Sequence, residues 1–455
     1  MQKRSFFVGF LLLIASVGLR AQDERTVTEP VLPAACATLD AQLTSVGHSL
    51  AAEDEQKLDT GRIQKAIDHC KSGGVYLYAA QEKNAFLSGP LELKSNVTLV
   101  VAKGVTLYAS RDPRQFETTP GVCGVVLEKN LHGCRPLIAA SHVENAAVMG
   151  EGTIDGRGGE KLLGASYTWW NLAEQARSGG AQQAFRLVVA DHSDNFTLYQ
   201  ITFKNSPNFH VTFSHGSGFT AWGVKIDTPQ RGARNTDGID PGSDAKNVTI
   251  AYSSIRTGDD NVAIKGGAPG GAKQMTIAHN HFYWGHGMSI GSETDGGVDK
   301  ILVTDLSLDG PDNGIRIKSN GSRGGLTEHV LYDDVCVRNS PNPIVLDTAY
   351  SAAGTLKGDH PPSMRAITLH NVRVAGGGKI SFNGYDAKHR IAVALDGVQL
   401  VDHEAYKYAF NHADVSLGPG PTNLQLPQGE DATLTGAPAP ASAAACQNKF
   451  VEFAR

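Results

Sequence analysis

The feature of the sequence that most constrains its fold is a repeat. From about Asn96 onward, short runs rich in β-branched residues return along the chain, among them NVTLVV, NFTLYQITF, GFTAWGVKI, NVTIAYSSI, QMTIAHNHF and KILVTDLSL. The last five of these runs start 23, 29, 27 and 26 residues apart. A period of this length is typical of solenoids and propellers, in which each repeat is one structural unit.

Each repeat contains two or three short strands separated by Gly, Asn, Asp or Ser. A propeller blade needs four strands and about 40 to 45 residues, which is more than one repeat offers. An irregular all-β sandwich is a second alternative. A parallel β-helix fits the period best, because each coil then adds one rung and stacks its apolar side chains on those of the previous coil. We therefore predict an all-β fold, a parallel β-helix.

A solenoid needs its open ends covered. In LDTGRIQKAIDHCKSGG, the residues Ile63, Ala66, Ile67 and Cys70 recur at helical spacing, and two glycines then end the pattern. This segment predicts a short helix that caps the N-terminal end of the solenoid.

The periodicity also predicts the domain limits. It is lost from about Gly418, so we expect residues 418–455 to be a largely irregular C-terminal covering segment. Residues 22–417, including the N-terminal cap, would form a single β-helix domain. Residues 1–21 are set apart by a different pattern.

The first residues have the layout of a secretory signal peptide. Lys3 and Arg4 precede an apolar run, and small and polar residues follow near Ala21. The apolar run has 14 residues, fewer than the 18 or more expected of a membrane span, so an uncleaved anchor is the weaker alternative. We predict a secreted or periplasmic protein that has no membrane attachment once residues 1–21 are removed.

Net charge limits the possible partners. Without Lys3, Arg4 and Arg20, the chain would carry 38 basic and 46 acidic residues, a net charge of -8. This balance argues against a nucleic-acid-binding surface. If the substrate is an anion, its positive partners must be local.

The chain has six cysteines, which suits an oxidising compartment. Their spacing lacks the close pairs of a zinc site, and we predict no metal and no cofactor. Cys123 and Cys134 are the expected disulfide, closing the loop CGVVLEKNLHGC. The remaining four cysteines could pair in three ways or stay partly reduced, and the sequence does not choose: Cys36, Cys70, Cys336 and Cys446.

Acidic residues are concentrated in NTDGIDPGSD and RTGDDNVAIKGG. Asp237 and Asp259 are 22 residues apart, His286 follows Asp260 by 26, and Arg316 follows His286 by 30. Each separation is about one coil, and adjacent strands lie about 4.8 Å apart. We therefore expect these side chains to form a column on one face of the solenoid.

The adjacent pair Asp259 and Asp260 needs a local irregularity, because successive side chains of a flat strand point to opposite faces. Gly258 indicates a turn or bulge that would let both carboxylates face outward. An ordinary Asp-rich turn is the alternative, since Asp readily bonds its own backbone.

The neighbouring coils supply other polar groups. His286 lies between two glycines in GHGMSIGSE, where the backbone can approach a ligand closely. In NGIRIKSNG, Arg316 and Lys318 would share one face of a strand while Ile317 faces the core. A structural histidine and a solvated charged face are the alternatives.

Four motifs in order, NTDGID, GDDNVAIKG, GHGMSIGSE and RIK, resemble the polygalacturonase family, glycoside hydrolase family 28. The similarity spans about Asp59 to Asp396 and includes SGPLELKSNVTLVVAKGVTLYAS, GEGTIDGRGG and NSPNFHVTF. It implies a right-handed parallel β-helix whose catalytic domain is 22–417. It also implies hydrolysis of α-1,4-galacturonosidic bonds in polygalacturonate.

The resemblance also implies catalytic roles. Hydrolysis of a glycosidic bond needs one protonated carboxyl group and one ionised carboxylate. By resemblance, Asp259 is the general acid, while Asp237 and Asp260 hold and deprotonate the attacking water, which inverts the anomeric carbon. His286 would hydrogen-bond near the acid and help to set its protonation.

The implied partner is an anionic polysaccharide, polygalacturonate or pectin. Arg316 and Lys318 would bind the galacturonate carboxylate beside the scissile bond, Arg with a planar fork and Lys as a point charge. Tyr350 matches a family tyrosine at the same subsite. Asn235 and Asp240 are secondary candidates for substrate binding, with a turn role as the alternative.

The sequence leaves several alternatives open. Internal cleavage is expected rather than exo action, and hydrolysis of rhamnogalacturonan or xylogalacturonan is possible on the same scaffold. A calcium-dependent pectate lyase shares the β-helix and suits Asp clusters. A non-catalytic carbohydrate-binding solenoid would need no complete carboxylate column. We expect a monomer.

Overall fold

The computed structural model describes residues 22–351, 358–401, 403–424, 431–439, 446 and 449–454. The predicted signal peptide, residues 1–21, lies outside the described residues. Within the described part of the chain, no helix combines the length and the apolar character needed to cross a membrane.

Two long sheets of parallel strands form the body of the protein. We call the smaller one the cleft sheet, because it carries the candidate site; among the described residues it has 11 strands. In chain order these strands are Leu91–Glu92, Ile138–Ser141, Val188–Asp191, Val211–Ser214, Ile239–Pro241, Val262–Ile264, Met288–Ile290, Asn313–Lys318, Asn342–Asp347, Gly378–Asn383 and Tyr406–Asn411.

The larger sheet, here the outer sheet, has 22 strands in the described chain. They are Ala35–Asp40, Gly73–Tyr78, Ala85–Ser88, Val97–Val101, Thr106–Ala109, Ala147–Met149, Thr153–Asp155, Thr197–Tyr199, Thr202–Lys204, Gly216–Ser217, Thr220–Trp222, Lys225–Asp227, Ala245–Ala251, Ser254–Arg256, Ala272–Phe282, Val298–Asp309, Leu326–Arg338, Ser363–Ala375, Ile391–Asp396, Gln399–Leu400, Ala413–Leu417 and Ala432–Thr435.

Helices and antiparallel pairs are few. The α-helices are Thr60–His69 and Trp169–Gln175, and the short 3-10 helices are Ala52–Asp54, Pro113–Gln115, Ala176–Ser178 and His403–Ala405. Two antiparallel strand pairs are present among the described residues: Ser45–Val46 with Ser49–Leu50, and Val126–Leu127 with Ala181–Gln182.

The strand register explains the sequence repeat. In the outer sheet, Ile250 pairs with Ile277, Ile277 with Val303, Val303 with Tyr332 and Tyr332 with Leu369. All five side chains are fully buried. Each coil therefore stacks its apolar residues on those of the coil before, and the expected all-β parallel β-helix is confirmed.

The predicted capping helix is also confirmed. Thr60–His69 buries Ile63 and Ile67 completely against the core. A disulfide between Cys36 and Cys70 ties the end of this helix to the strand Ala35–Asp40.

The predicted Cys123–Cys134 disulfide is present. Of the pairings that the sequence left open, the structure has Cys36 with Cys70 and Cys336 with Cys446. Among the described residues, no cysteine is free.

The described part of segment 418–455 contains regular structure. The strand Ala432–Thr435 pairs with Ala413–Leu417 and adds one rung to the outer sheet. Further on, the Nζ of Lys449 donates to Asp334 at 2.6 Å and also contacts Asp305. Lys449 therefore links the strands Val298–Asp309 and Leu326–Arg338 of two successive coils of the outer sheet.

Candidate active site

The predicted site residues lie at neighbouring strands of the cleft sheet. Asp237 precedes the strand Ile239–Pro241, the pair Asp259 and Asp260 precedes Val262–Ile264, and His286 precedes Met288–Ile290. Ile239 pairs with Val262, and Val262 with Met288. The turns that carry these side chains are therefore stacked, as the coil spacing predicted.

The turn before Asp259 depends on Gly258. A Cβ at this position would lie 2.1 Å from the carbonyl oxygen of Ala233, so only glycine fits. The Thr257 hydroxyl donates to the carbonyl of Asp259 at 2.7 Å and closes the turn. This irregularity brings both carboxylates into one polar cluster.

Asp260 is almost completely buried and is surrounded by donors. Its Oδ2 accepts from the Nζ of Lys318 at 2.6 Å, and its Oδ1 accepts from the Ser289 hydroxyl at 2.8 Å. Arg316 lies 3.8 Å away. Burial alone would raise the pKa of Asp260, but the charges of Lys318 and Arg316 outweigh burial and hold this pKa well below its usual range. Asp260 is therefore ionised.

Asp259 and His286 form a pair. The Nδ1 of His286 lies 3.0 Å from Asp259 Oδ1, and the Asn235 backbone N–H donates to Asp259 Oδ2 at 3.3 Å. Burial would raise the pKa of Asp259, but the hydrogen bond and charge of His286 lower it. Burial would lower the pKa of His286, but its contact with Asp259 raises it. The pair therefore retains one proton to higher pH than a free imidazole would.

Asp237 and Asp240 share one lysine. The Nζ of Lys265 lies 3.3 Å from Asp237 Oδ2 and 3.4 Å from Asp240 Oδ2. Burial and the neighbouring carboxylates Asp240 and Asp259 raise the pKa of Asp237 well above its usual value. Burial raises the pKa of Asp240 to about 6, although Lys265 opposes this. One cation therefore does not neutralise both acids fully.

Sequence reasoning missed Lys265. The sequence does indicate it: VAIK and IRIK both end in a lysine that directly follows an isoleucine. Ile264 pairs with Ile290 and Ile290 with Ile317, so Lys265 and Lys318 occupy equivalent positions two coils apart. Aligning the strand ends of successive coils would have placed both lysines on the face of the carboxylates.

Arg316, Lys318 and Tyr350 lie together on one side of the carboxylates. The Tyr350 ring centroid is 5.1 Å from Lys318 Nζ and 5.5 Å from Arg316 Cζ. Lys318 is bound to Asp260, a contact that the sequence did not predict. The expected role of both cations in binding substrate stays a prediction.

A metal ion is not the natural occupant of the cluster. Asp259, Asp260 and His286 each offer one ligand atom, and these atoms lie within 4.8 Å of one another. However, the ammonium group of Lys318 already neutralises Asp260, and the Nδ1 of His286 is bonded to Asp259. This donor set suits acid/base chemistry better than a dedicated cation site.

Comparison with known proteins gives consistent matches. The family model described as Glycosyl hydrolases family 28 matches residues 81–414. An endo-polygalacturonase of Pectobacterium parmentieri is 44% identical over 401 residues, covering 87% of this chain and 94% of that protein. A polygalacturonase of Ralstonia nicotianae is 39% identical over 492 residues, covering 93% of this chain and 92% of that protein.

A solved structure agrees with these matches. The polygalacturonase from Erwinia carotovora ssp. carotovora is 43% identical, with a TM-score of 0.80, and the match covers 87% of this chain and 100% of that chain.

Replacing Lys318 by Met tests the charge balance around Asp260. We expect the free energy of unfolding at pH 7 to fall by about 3–5 kcal/mol, because a buried carboxylate loses its main partner. The folded-state pKa of Asp260 is depressed, so its stabilisation is present above the unfolded-state pKa and is lost as pH falls through the folded-state value. The difference between variant and wild type should therefore narrow from pH 7 to pH 3 in denaturant titrations.

Lys94→Met is the matched control, since Lys94 forms a half-exposed ion pair with Asp68 at 3.8 Å. Its effect should stay below about 1 kcal/mol. A Lys318→Met deficit that is the same at both pH values would contradict this account of Asp260.

Proposed function

We propose that this protein hydrolyses α-1,4-galacturonosidic bonds inside polygalacturonate. The chain belongs to family 28 of the glycosyl hydrolases. The observation that carries the proposal is the site itself: Asp237, Asp259 and Asp260 meet in one cluster with Arg316 and Lys318 beside them. Relatives that are 42–44% identical are named endo-polygalacturonases, which supports internal cleavage.

Asp259 acts as the general acid in this proposal. Of the three carboxylates it is the most accessible, with 20% of its side chain exposed against 5% for Asp237 and 1% for Asp260. Its partnership with His286 supplies the proton, since a coupled pair titrates as one unit. The Nδ1 proton of His286 is transferred to Asp259, and Asp259 passes it to the leaving oxygen. His286 ends neutral and Asp259 ends as a carboxylate.

Asp237 and Asp260 both contact the attacking water in this proposal, in two different roles. Both oxygens of Asp260 are near donors, from Ser289 and Lys318, and its low pKa makes it a weak base. Asp237 has a raised pKa, and in its ionised form it accepts a proton more readily. We therefore assign proton acceptance to Asp237 and orientation of the water to Asp260, which gives inversion.

The substrate carboxylate would bind Arg316. The residue is 7% exposed, and its guanidinium lies 3.8 Å from the carboxylate of Asp260, beyond hydrogen-bond distance. Its planar fork is therefore open to a uronate. Lys318 adds positive charge and Tyr350 borders the same space. The Asn235 N–H donates to Asp259, and Asp240 shares Lys265 with Asp237.

The rival functions have less support. A calcium-dependent lyase would not need the His286–Asp259 acid pair, and a non-catalytic binding solenoid would not need a complete carboxylate set. Exo action and hydrolysis of decorated galacturonans remain the alternatives within the family. We also propose that the protein is exported, acts as a monomer and needs no cofactor.

Digestion of polygalacturonate tests the reaction and its mode together. We expect viscosity to fall by half while only a few per cent of the bonds have released reducing ends, because internal cuts shorten long chains quickly. Parallel loss of viscosity and release of monomer would indicate exo action. Absence of new reducing ends would contradict hydrolysis.

The acid role of Asp259 is tested by changing the leaving group. Asp259→Asn should reduce turnover of polygalacturonate by about 100- to 10,000-fold. With α-galacturonosyl fluoride, whose fluoride leaves without protonation, the same variant should keep a rate near that of wild type. Asp237→Asn should be impaired on both substrates, since it lacks the base.

Asp244→Asn is the matched control for these variants, because Asp244 is an exposed residue of the same acidic stretch. It should behave as wild type on both substrates. Equal losses for Asp259→Asn on polygalacturonate and on the fluoride would remove Asp259 from the role of acid.

A further inference from the structure

A second polar pocket opens on the side of the carboxylates away from Arg316. Two adjoining cavities, of about 200 and 330 Å³, share four lining residues, which we call the second pocket: Asn130, Gln182, Arg186 and Asn208. The larger cavity extends to Asn235, whose backbone contacts Asp259. The pocket is therefore continuous with the candidate active site.

The strand register gives the distance of the second pocket from the carboxylates. Val189, which lines the smaller cavity, pairs with Thr212, and Thr212 pairs with Asp240. Two strand steps correspond to about 10 Å along the cleft sheet. Arg316 lies beyond the carboxylates in the opposite direction. A chain bound along the cleft would pass both arginines.

Arg186 has no protein acceptor among the described residues: no carboxylate lies within ion-pair distance, and no oxygen accepts its N–H groups. Its guanidinium lies over the Phe209 ring at 4.9 Å. Burial lowers the pKa of Arg186, while Asp237 and Asp240 oppose this through longer-range attraction. Arginine stays charged in proteins. The guanidinium of Arg186 therefore faces the cavity as a cation whose donors have no acceptor among the described residues.

Gln182 provides an independent indication of a ligand. The residue is 7% exposed, and in the described structure neither its Oε1 nor its Nε2 has a hydrogen-bond partner. A buried polar group left unpaired costs about 1–3 kcal/mol. In Asn208, the Oδ1 accepts from the Phe209 N–H at 2.7 Å, which leaves the amide NH₂ free to donate.

The adjacent Gln183 shows what a structural glutamine looks like here. Its Oε1 accepts from the N–H groups of Leu131 and Gly133 at 3.1 and 3.2 Å. Its Nε2 donates to the carbonyls of Lys129 and Ala181, both at 3.1 Å. Gln183 thus holds the loop closed by the Cys123–Cys134 disulfide, whereas its neighbour Gln182 makes no such bonds.

We propose that Arg186, Gln182 and Asn208 form a second uronate subsite, which binds a galacturonate unit of the same chain on the side of the scissile bond opposite Arg316. Arg186 binds the carboxylate through its planar fork, and the two amides bind ring hydroxyls. The combination of one cation with neutral amides matches a uronic acid, which carries one charge among several hydroxyls. The inference rests on the proposed hydrolysis of polygalacturonate.

Kinetics on hexagalacturonate test the second subsite. Arg186→Gln should raise KM by about 10- to 100-fold, the effect of losing one charged hydrogen-bonding partner, and should change kcat little, because the contact lies away from the reacting atoms. The wild-type preference for free over methyl-esterified hexamer should shrink in this variant. Arg365→Gln is the control, since Arg365 is 60% exposed and paired with Glu328 on the outer sheet.

Gln182→Leu separates binding from structure. If the amide of Gln182 serves to bind substrate, removing this unpaired group should raise the midpoint of thermal unfolding and also raise KM. A structural role predicts the opposite change in stability. Two results would overturn the subsite, provided that the wild-type enzyme cleaves polygalacturonate. In one, Arg186→Gln has the same KM as Arg365→Gln; in the other, Arg186→Gln lowers kcat and leaves KM unchanged.

The second pocket can be tested by binding even if the protein does not cleave polygalacturonate. If the wild-type protein does not cleave polygalacturonate, the proposed function fails, and calorimetric titration with hexagalacturonate still compares wild type with Arg186→Gln. Tighter binding to wild type supports the pocket as a uronate site, and equal binding overturns it.

Discussion

Parallel hydrogen bonding between successive coils is the constraint on which the rest of this structure depends. It fixes neighbouring strands at about 4.8 Å, so that residues one repeat apart in sequence become direct neighbours. The same register stacks Ile250, Ile277 and Val303 inside the solenoid and brings the turns of Asp237 and Asp259 together on the cleft sheet. Core and site are therefore two consequences of one pairing pattern.

Carboxylates brought so close in a buried site need charge compensation. Lys318 and Arg316 compensate Asp260, Lys265 lies between Asp237 and Asp240, and the imidazole of His286 pairs with Asp259. The compensation is uneven: Asp260 is held ionised, Asp237 has a raised pKa and is the stronger base when ionised, and the Asp259–His286 pair keeps one proton. Unequal protonation among neighbouring acids is what hydrolysis of a glycosidic bond requires.

The sequence predicted what depends on period and order. The solenoid, its helical cap, the Cys123–Cys134 disulfide and the column from Asp237 to Arg316 follow from spacing alone, because coil length sets position. The contact between Lys318 and Asp260 did not follow, since it depends on the rotamers of two long side chains. The pairing of Cys336 with Cys446 also needed the path of the tail, which has no repeat. Arg186 and Gln182 were missed because what marks them is the absence of partners, which no sequence pattern records.

The stereochemistry of the first product tests the central claim most directly, namely that the carboxylate cluster performs an inverting hydrolysis of galacturonan. Proton NMR of a fast digestion of oligogalacturonate in D₂O resolves the anomeric signals before mutarotation. Cleavage of the α-linkage by water activated at Asp237 and Asp260 should give the β-anomer first. Initial release of the α-anomer, or the signals of an unsaturated sugar in place of a new reducing end, would contradict the account.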